Sequence, residues 1–239
     1  MNLVIDIGNT STKVGWFEHE ELLHVDQSVT PDDLGNLVAQ EVPKGIMLSS
    51  VSEEEKTADY LRAMKTLSPL MLTASLPLPF TLDYQTPATL GNDRIAAVAG
   101  AQALFPGVNA LVIDCGTCIT YDFLSKGEVY LGGSISPGMT MRFKALNTFT
   151  ANLPLTDYKE NVPYVGKSTQ ECLRSGVIQG IIGEMNTFID YYQSEFDHLK
   201  VIMCGGDTKF FENKVKARIF AAPELVLRGL NRILRHNAE

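Results

Sequence analysis

Residues 3–12 read LVIDIGNTST, and the same pattern returns at residues 111–120 as LVIDCGTCIT. Each copy is a short apolar run that ends in aspartate and is followed by glycine and small polar residues, as expected for a strand that leads into a turn. Asp6 and Asp114 occupy the same place in the two copies. We interpret the match as one internal duplication whose joint lies near Gly107. Two unrelated strand–turn segments are the alternative, and the letters shared at one place in each half make it the weaker one.

The rest of each half follows one pattern, in which three predicted strands precede alternating helices and strands. This pattern predicts an α/β fold of two lobes, residues 1–108 and 109–239, each with a mixed sheet covered by helices. Capping boxes are predicted for the helices that start at Ser52 and Ser168. The predicted strands are residues 3–6, 12–17, 22–25, 45–51 and 70–72, then 110–114, 119–124, 128–131, 201–204 and 219–221. The predicted helices start at Thr30, run from Ser52 to about Leu67, run from after Gly91 to near Phe105, cover 139–148, start at Ser168 and cover 224–236.

The composition is that of an acidic globular protein, with 45% hydrophobic residues and a net charge of −8. An acidic surface disfavours a phosphate backbone, so no nucleic-acid partner is expected. No run approaches the roughly 18 apolar residues of a membrane span, and the first residues do not resemble a signal peptide. Four cysteines without a disulfide-like spacing indicate reduced thiols and a cytoplasmic protein. Cys115 and Cys118 form a C-x-x-C pair, but no second pair or histidine accompanies it, so a metal or redox site is not expected.

Two loops have the composition of a phosphate-binding site. In the first loop (residues 6–13), a carboxylate ends the strand, Gly8 permits a close approach to a ligand, and hydroxyl side chains precede Lys13. The alternative for this segment alone is a plain hairpin turn, since Gly-Asn-Thr-Ser is good turn chemistry. The second loop (residues 114–117) matches it and favours phosphate binding. The paired glycines of residues 204–207 leave room for a flat adenine ring, or else form an ordinary strand-to-helix turn.

Several motifs in order resemble those of type III pantothenate kinases, a family of the actin, Hsp70 and sugar-kinase fold superfamily. The first loop resembles the first phosphate motif of that family, and residues 91–94, Gly-Asn-Asp-Arg, resemble its Gly-x-Asp-Arg pantothenate motif. The second loop resembles the second phosphate motif, and residues 205–207 follow in the family's order. The resemblance runs from Met1 to the final helix. One departure is Cys118, which stands where many members carry alanine and is small enough to fit.

The resemblance implies two duplicated ribonuclease-H-like lobes, each with a mixed five-stranded sheet, and a nucleotide cleft between them. It implies ATP-dependent phosphorylation of pantothenate to 4′-phosphopantothenate, the first step of coenzyme A synthesis, by a cytoplasmic homodimer that needs K⁺ or NH₄⁺. Asp93 is implied as the general base, and Asp114 as a ligand of the monovalent cation. The implied ATP contacts are Asp6, Ile7, Gly8, Asn9, Thr10, Ser11, Thr12, Lys13 and Thr117. The implied pantothenate contacts are Tyr84, Gly91, Asn92, Asp93, Arg94 and Thr169.

Phosphoryl transfer requires positioning, charge neutralisation and a group that accepts the hydroxyl proton. Asp93 opens a predicted helix, where the helix dipole favours its charge, and a simple helix N-cap is the alternative. Arg94 suits an anionic oxygen of substrate or phosphate, and a surface salt bridge is the alternative. Carboxylates beside a triphosphate repel it unless cations intervene. Asp6 is therefore our candidate for Mg²⁺ that arrives with ATP, with the contact made through water.

The helix after Ser168 is predicted to form the homodimer interface. Its apolar residues recur at spacings of three and four, and Gly176, Gly180 and Gly183 lie among them. The alternative is that this helix packs against the protein's own sheet. Two other functions stay open, namely a catalytically silent relative that binds ATP in a regulatory role, and a kinase for another small alcohol. The apolar residues are Val177, Ile178, Ile181, Ile182, Met185, Phe188, Ile189 and Tyr192.

Overall fold

The computed structural model describes residues 1–65 and 67–238. Its strands and helices alternate largely as the two sequence halves predict. The strands are β1 (Asn2–Ile7), β2 (Thr12–Glu18), β3 (Glu21–Gln27), β4 (Gly45–Ser50), β5 (Leu70–Met71), β6 (Thr81–Leu82), β7 (Ala110–Cys115), β8 (Cys118–Ser125), β9 (Val129–Pro137), β10 (Lys200–Cys204) and β11 (Ile219–Ala221). The helices are α1 (Pro31–Gln40), α2 (Glu54–Ala63), α3 (Asn92–Leu104), α4 (Met139–Thr148), α5 (Thr169–Glu195), α6 (Thr208–Phe211) and α7 (Leu225–His236), with a 3₁₀ turn at Pro87–Thr89.

The first sheet has the strand order β3-β2-β1-β4-β5. Strands β1, β2 and β3 pair in antiparallel hairpins. Strands β4 and β5 join in parallel, because helical crossovers return the chain to the end of the sheet where the preceding strand began. Leu3, Ile5 and Ile7 pack with side chains of α1 and α2 in one apolar core. Since successive side chains of a strand point to opposite faces, Asp6 lies on the other face of β1.

The second sheet has the order β11-β10-β7-β8-β9-β6. Without β6 it repeats the first sheet, because β7 to β11 take the places that β1 to β5 take there. The parallel pairings of β10 with β7 and β11 match those of β4 with β1 and β5. The predicted α/β class with two mixed sheets is confirmed, but this sheet has six strands where five were expected. The additional strand, β6, has two residues and lies in a proline-rich segment without a strand pattern.

By their internal contacts the residues group into two units. The first unit comprises Met1–Gly107, Leu124–Gly132 and Glu224–Glu239, and the second unit comprises Val108–Phe123 and Gly133–Pro223. The proposed division into lobes 1–108 and 109–239 stays a prediction. No helix of the described residues is both long and apolar enough to cross a membrane.

Helix α7 packs across α3 and against β1, β2 and β4 within the first unit. The two helices approach most closely at glycines. A Cβ on Gly229 would overlap the carbonyl of Ala96, and a Cβ on Gly100 would overlap the carbonyl of Leu225. Most of α7 is buried. The end of the chain therefore lies in the core of the same unit as its beginning.

Two helix starts carry the caps that the sequence indicates. At α1, the Thr30 hydroxyl accepts the Asp33 N–H (3.2 Å), and the Asp33 carboxylate accepts the Thr30 N–H (3.0 Å). The pKa of Asp33 is lowered, first by its hydrogen bond with the Thr30 side chain and then by the bond with the Thr30 N–H. At α5, the Ser168 hydroxyl accepts the Glu171 N–H (3.3 Å), but the Glu171 carboxylate reaches the Lys167 N–H (2.7 Å) instead of the cap, so that half of the predicted box forms.

The predicted capping box of α2, Ser52 with Glu55, is wrong. The N-cap is Glu53, which makes no side-chain capping bond, and the helix ends earlier than predicted, at Ala63. The shift of the cap by one residue makes Lys56 the third residue of the helix. This places a positive side chain where a capping box would hold an acidic one.

Candidate active site

The first loop joins β1 to β2 as a tight turn. The Gly8 N–H donates to the Ser11 carbonyl (3.1 Å), and a Cβ on Gly8 would lie 3.0 Å from the same oxygen. Residues 9 and 10 are exposed at the tip. Asp6 and Lys13 are register partners of opposite charge across the hairpin. The loop is thus also a hairpin turn, which was the alternative, and phosphate binding by it stays a prediction.

Helix α3 begins beside the first loop. Asn92 donates through Nδ2 to the carbonyl of Ser50 (3.3 Å), and Ser50 is the register partner of Ile7 at the end of β1. The Val51 N–H then donates to the Ile7 carbonyl (3.2 Å). The carboxyl ends of the parallel strands β1 and β4 therefore meet the amino end of α3, the kind of edge where α/β proteins bind ligands. The structure brings residues 91–94 to the same sheet edge as the first loop.

Asp93 is the second residue of α3, and Gly91 is the N-cap, so the alternative that Asp93 itself caps the helix is wrong. The Asp93 Oδ1 accepts the Arg94 N–H (2.8 Å), which keeps the carboxylate at the first turn, where the helix dipole stabilises negative charge. A Cβ on Gly91 would lie 2.5 Å from this oxygen, so glycine leaves the carboxylate its room. Arg94 is buried, so the alternative of a surface salt bridge is wrong as well.

Tyr84 lies between β6 and the 3₁₀ turn, and β9 holds its ring. The ring centroids of Tyr84 and Tyr130 are 5.9 Å apart with a tilt of 44°. A Cβ on Gly132 would lie 3.5 Å from the Tyr84 ring, and Gly132 has a φ of +94°, a conformation that favours glycine. The contact of Tyr84 with pantothenate stays a prediction.

One side chain at the edge of the first sheet was not predicted from the sequence. Lys56, in the first turn of α2, donates through Nζ to the carbonyl of Gly8 (2.7 Å). The start of α2 is tied to β4, because Ser50 Oγ and Thr57 Oγ1 are hydrogen-bonded at 2.7 Å. The lysine and the glycine are 48 residues apart. No local sequence pattern signals a contact over such a separation.

Asp114 is the last residue but one of β7, and its place depends on glycine. Gly205 follows β10 with a φ of +89°, and a Cβ there would overlap both Asp114 Oδ1 and the Cys115 carbonyl. The Cys115 carbonyl also accepts the Asp207 N–H (2.9 Å). A carboxylate oxygen and a carbonyl oxygen thus lie close together at the second loop, and oxygen atoms of these two kinds are the usual ligands of hard cations.

Thr117 is exposed, and the start of α4 packs on its backbone. The Gly138 N–H donates to the Thr117 carbonyl (3.1 Å), and a Cβ on Gly138 would overlap the carbonyl of Gly116. The Gly116 N–H donates to the Cys118 carbonyl (2.9 Å) and closes the turn. The second loop is therefore shaped by glycines from β9–α4 and from the segment after β10.

Two buried thiols flank Asp114. Cys204 is its register partner on β10 and is fully buried. Burial raises the pKa of the Cys204 thiol, and the charge of Asp114 raises it further. Burial also raises the pKa of Cys115, followed by the charges of Asp114 and Asp207. Both thiols are therefore protonated and unreactive near neutral pH, and among the described residues no three or more His, Cys, Asp or Glu side chains gather as a metal site.

A polar network behind the second loop was also not predicted. Glu184 on α5 accepts hydrogen bonds from the hydroxyls of Tyr121 (2.8 Å) and Ser136 (3.0 Å), and pairs with Arg142 (2.6 Å). Arg142 donates through Nε to the Pro137 carbonyl (2.8 Å). Burial raises the pKa of Tyr121, and its hydrogen bond to Glu184 raises it further. The network fixes the start of α4, which packs on the second loop.

Helix α5 has two different faces. The predicted apolar stripe packs into the core of its own unit, so the alternative of packing on the protein's own sheet is correct for these side chains. Gly176, Gly180 and Gly183 are exposed on the other face. Within the described part of the chain, no heavy atom outside the helix backbone lies within 4 Å of a Cβ on Gly176 or Gly183, and the nearest one to a Cβ on Gly180 is Arg142 Nη1 at 3.9 Å. Packing within the chain therefore does not require these glycines.

The structure brings the predicted residues together in two groups, the first loop with residues 91–94 in the first unit, and Asp114 with Thr117 and residues 205–207 in the second. Thr169, the first residue of α5, is exposed. Of the predicted ATP contacts, Ile7 and Thr12 are buried, Asn9, Thr10 and Thr117 are exposed, and Asp6, Gly8, Ser11 and Lys13 are half-buried. Of the predicted pantothenate contacts, Arg94 is buried, Thr169 is exposed, and Tyr84, Gly91, Asn92 and Asp93 are half-buried.

Among solved structures, a Campylobacter jejuni protein described as a Baf family transcriptional activator has a TM-score of 0.65 at 23% identity, over 99% of this chain and 98% of its own. A Sinorhizobium meliloti protein described as a 2-dehydro-3-deoxygalactonokinase has a TM-score of 0.64 at 13% identity, over 99% of both chains. At these identities the likeness shows the fold alone.

Sequence comparison is more specific. The family model of type III pantothenate kinase matches residues 2–191. A type III pantothenate kinase of Phocaeicola vulgatus is 44% identical over 239 residues, which cover 99% of both chains. One of Cytophaga hutchinsonii is 42% identical over 238 residues, which cover 99% of this chain and all of its own. Because the family model spans most of the chain and these relatives match nearly all of it, the chain belongs to the type III pantothenate kinase family.

Proposed function

We propose that this chain transfers the terminal phosphoryl group of ATP to the 4′-hydroxyl of pantothenate, the first step of coenzyme A synthesis. Membership of the family supports this activity. The observation within the molecule that carries it is the hydrogen bond from Asn92 to Ser50, which sets residues 91–94 beside the first loop. A group that accepts a proton and a loop suited to phosphate thus lie at one sheet edge, as phosphoryl transfer to an alcohol requires.

Asp93 is the proposed general base. Its carboxylate lies at the amino end of α3 and is oriented by the Arg94 N–H at 2.8 Å. The hydroxyl proton leaves late, as the bond to phosphorus forms, so a positioned carboxylate is sufficient to accept it. Arg94 supplies the fixed positive charge for an anionic oxygen of substrate or phosphate. Tyr84, Gly91, Asn92 and Thr169 complete the proposed pantothenate contacts.

ATP is used by kinases together with a divalent metal, and Mg²⁺ supplies charge neutralisation of the phosphates when bound. Asp6 fits such an ion as an oxygen ligand that acts through water, because it is half-buried and lies near the end of β1, where the first loop begins. Lys13, its cross-strand partner, adds a positive charge. The other proposed ATP contacts are Ile7, Gly8, Asn9, Thr10, Ser11, Thr12 and Thr117.

Asp114 is the proposed ligand of a monovalent cation, K⁺ or NH₄⁺. Its carboxylate oxygen and the Cys115 carbonyl both crowd the position that a Cβ on Gly205 would take. Two oxygen atoms close together suit a cation. Glycine at residue 205 keeps the space beside both oxygen atoms free of a side chain. A cation there would offset the negative charge that Asp114 brings toward ATP.

A homodimer formed through the glycine face of α5 is part of the proposal. A glycine inside a helix costs roughly 1 kcal/mol relative to alanine, and the three on α5 are exposed. Close approach of a second backbone gives these glycines a function. We also propose a cytoplasmic location, which suits the unpaired, reduced cysteines and a soluble substrate.

A direct assay tests the proposed activity. Purified protein is incubated with MgATP, pantothenate and KCl or NH₄Cl, and both ADP and 4′-phosphopantothenate are measured. Reactions without pantothenate, and with glycerol or a sugar acid in its place, serve as controls. We expect 4′-phosphopantothenate and an equal amount of ADP in the complete reaction with pantothenate, and neither in the controls. Absence of 4′-phosphopantothenate contradicts the proposal, ATP binding without turnover indicates a silent relative, and turnover of another alcohol indicates a different kinase.

A further inference from the structure

Lys56 directs its hydrogen bond to the first loop and not to its own helix. Its Nζ lies 2.7 Å from the carbonyl oxygen of Gly8, and the residue is half-buried. Gly8 closes the turn of the loop through its N–H, which donates to the Ser11 carbonyl (3.1 Å). The ammonium group of Lys56 therefore lies against the backbone of the loop that is proposed to bind the phosphates of ATP.

The position of Lys56 is unfavourable for helix α2 by itself. Lys56 is the third residue of the helix, and the partial positive charge of a helix N-terminus repels a cation in the first turn. Glu54 and Glu55, which precede it, are the residues that this helix end favours. The presence of a lysine at this position is therefore explained by its hydrogen bond to Gly8, outside the helix, and not by the stability of α2.

The start of α2 is fixed relative to both the first loop and α3. Thr57 Oγ1 is hydrogen-bonded to Ser50 Oγ (2.7 Å) and donates to the Glu53 carbonyl (3.2 Å). The carbonyl of the same Ser50 accepts the side chain of Asn92 (3.3 Å). Lys56 is thus carried on a helix end that is tied to the strand beside the first loop and to the motif that contains Asp93.

We infer that Lys56 is a positioning residue for ATP, an inference that rests on the proposed binding of ATP phosphates at the first loop. By engaging the Gly8 carbonyl, the ammonium offsets a group whose partial negative charge opposes phosphate. With its lone pair directed to the ammonium, this carbonyl no longer presents an uncompensated acceptor to the phosphates that the turn is proposed to bind. The charge of Lys56 also adds to that of Lys13 and balances the carboxylate of Asp6.

Three variants test this role. Lys56→Met removes the charge and keeps the length of the side chain, Lys56→Arg keeps charge and donors, and Lys44→Met is a control at an exposed lysine outside both loops. The Kd for MgATP is measured by calorimetry without pantothenate, followed by KM and kcat with pantothenate. For Lys56→Met we expect Kd and KM for ATP to rise about tenfold or more, the size of a lost charge-assisted hydrogen bond. The KM for pantothenate should change little, and arginine should restore most of the ATP affinity.

Thermal unfolding separates this role from a structural one. The Tm of Lys56→Met should stay near that of the wild type, because the lost hydrogen bond is opposed by relief of the charge–dipole repulsion in α2. Unchanged MgATP affinity in Lys56→Met overturns the inference. So does weaker binding that Lys44→Met shares, or that accompanies a lower Tm that arginine does not restore. The Kd for MgATP is measured without pantothenate, so this test does not depend on the phosphorylation of pantothenate. The role of Lys56 can therefore be rejected while the proposed activity is confirmed, or supported while the proposed activity is rejected.

Discussion

Individual glycines give the candidate carboxylates their space. A Cβ on Gly91 would crowd Asp93 Oδ1, and a Cβ on Gly205 would overlap Asp114 Oδ1. Gly91 directly precedes α3, which carries Asp93, and Gly205 follows β10, which pairs with the strand that carries Asp114. The role of each glycine becomes visible only in the three-dimensional structure. Replacing either glycine by alanine would move a carboxylate without changing any charged residue.

Asp93→Asn tests the proposed base. The amide keeps the size of the side chain and removes the proton acceptor, so kcat should fall roughly 10²-fold or more while the Kd for MgATP changes little. Asp32→Asn is the matched control, because Asp32 is also the second residue of a helix, α1, and is exposed. Steady-state kinetics on both proteins decide the matter. Near wild-type turnover in Asp93→Asn would mean that this carboxylate has a structural role only.

Asp114→Ala tests the proposed cation ligand. Loss of the carboxylate should weaken activation by K⁺ and NH₄⁺ and leave the fold intact, because Asp114 is half-buried at a strand end rather than in the apolar core. Activity is titrated with KCl and NH₄Cl at constant ionic strength, with choline chloride as the balancing salt. An activation curve that coincides with the wild-type curve would reject the assignment.

At the scale of residues, local sequence patterns predict the site residues that lie near the end of a strand or the start of a helix. They do not predict side chains that contact the site from a distant part of the sequence. Asp6 and Asp114 follow apolar runs, and residues 91–94 precede an alanine-rich helix, so their places follow from local pattern. Lys56 meets Gly8 across 48 residues, and Glu184 meets Tyr121 across 63. Such contacts depend on how the elements pack, which no local pattern encodes.

Helix α1 gives an element whose stability depends on pH. The pKa of Asp33 is lowered in the folded protein by its bonds with Thr30. The stabilisation is therefore complete above the pKa of the unfolded chain, about 4, and is lost as the pH falls through the lowered folded value. We expect Asp33→Asn to lower Tm at pH 7 and to converge with the wild type in acid. Asp32→Asn, one residue earlier, is the control because it leaves the bonds between Thr30 and Asp33 in place, and an equal change of Tm in the two variants would contradict this role of the cap.

Helix α5 gives an element whose exposed face is the proposed dimer interface. Gly180→Leu should preserve the monomer fold, because the nearest atom outside the helix backbone to the new Cβ is Arg142 Nη1 at 3.9 Å, an ordinary van der Waals distance. It should overfill a contact with a second copy, lower the mass measured by light scattering, and reduce activity. Gly180→Ala is the control and should remain dimeric. A wild-type protein that is an active monomer at micromolar concentration, or a dimeric Gly180→Leu protein, would exclude this interface.

Prediction of whole elements from the sequence fails where the signals are short or compete. Helix α4 and strand β11 have the predicted bounds, and turn residues mark one end of each, with Pro137-Gly138 before the helix and Pro223 shortly after the strand. Strand β6 is too short to show a period, and α2 starts one residue later than its capping signal because Ser52 stays in the turn and donates its N–H to Ser50 (3.2 Å). The apolar stripe of α5 predicts burial correctly but does not say against which partner.

The whole molecule is largely predicted by one duplication. A repeated strand–turn motif implied two sheets of the same construction, and the shared strand order confirms them. The sixth strand of the second sheet and the place of α7 against α3 could not be predicted, because both depend on contacts between distant parts of the chain. The sequence repeat therefore predicts the strand order that the two sheets share. Strand β6 and the packing of α7 have no counterpart in the other half, so the repeat does not predict them.

Two glycine substitutions compare a crowded helix–helix contact with an open helix face. Gly229→Ala, at the contact of α7 with α3, should destabilise the protein by about 1–3 kcal/mol, because the new Cβ overlaps the carbonyl of Ala96. Gly183→Ala, on the face of α5 that is open within the chain, should stabilise the helix of the separate monomer by roughly 1 kcal/mol, so its unfolding is followed at a concentration where the protein is monomeric. Denaturant unfolding of both variants measures the two effects. Equal signs would contradict the packing of α7 or the openness of α5.

The place of α7 has a consequence for how the protein is made. Strands β1, β2 and β4 leave the ribosome long before α7, the helix that covers them. Until α7 has been translated, the nascent chain holds its first sheet without this cover, so apolar surface stays open to chaperones and to other chains. A message cut short just before residue 224 would therefore leave uncovered a sheet that was translated long before the break.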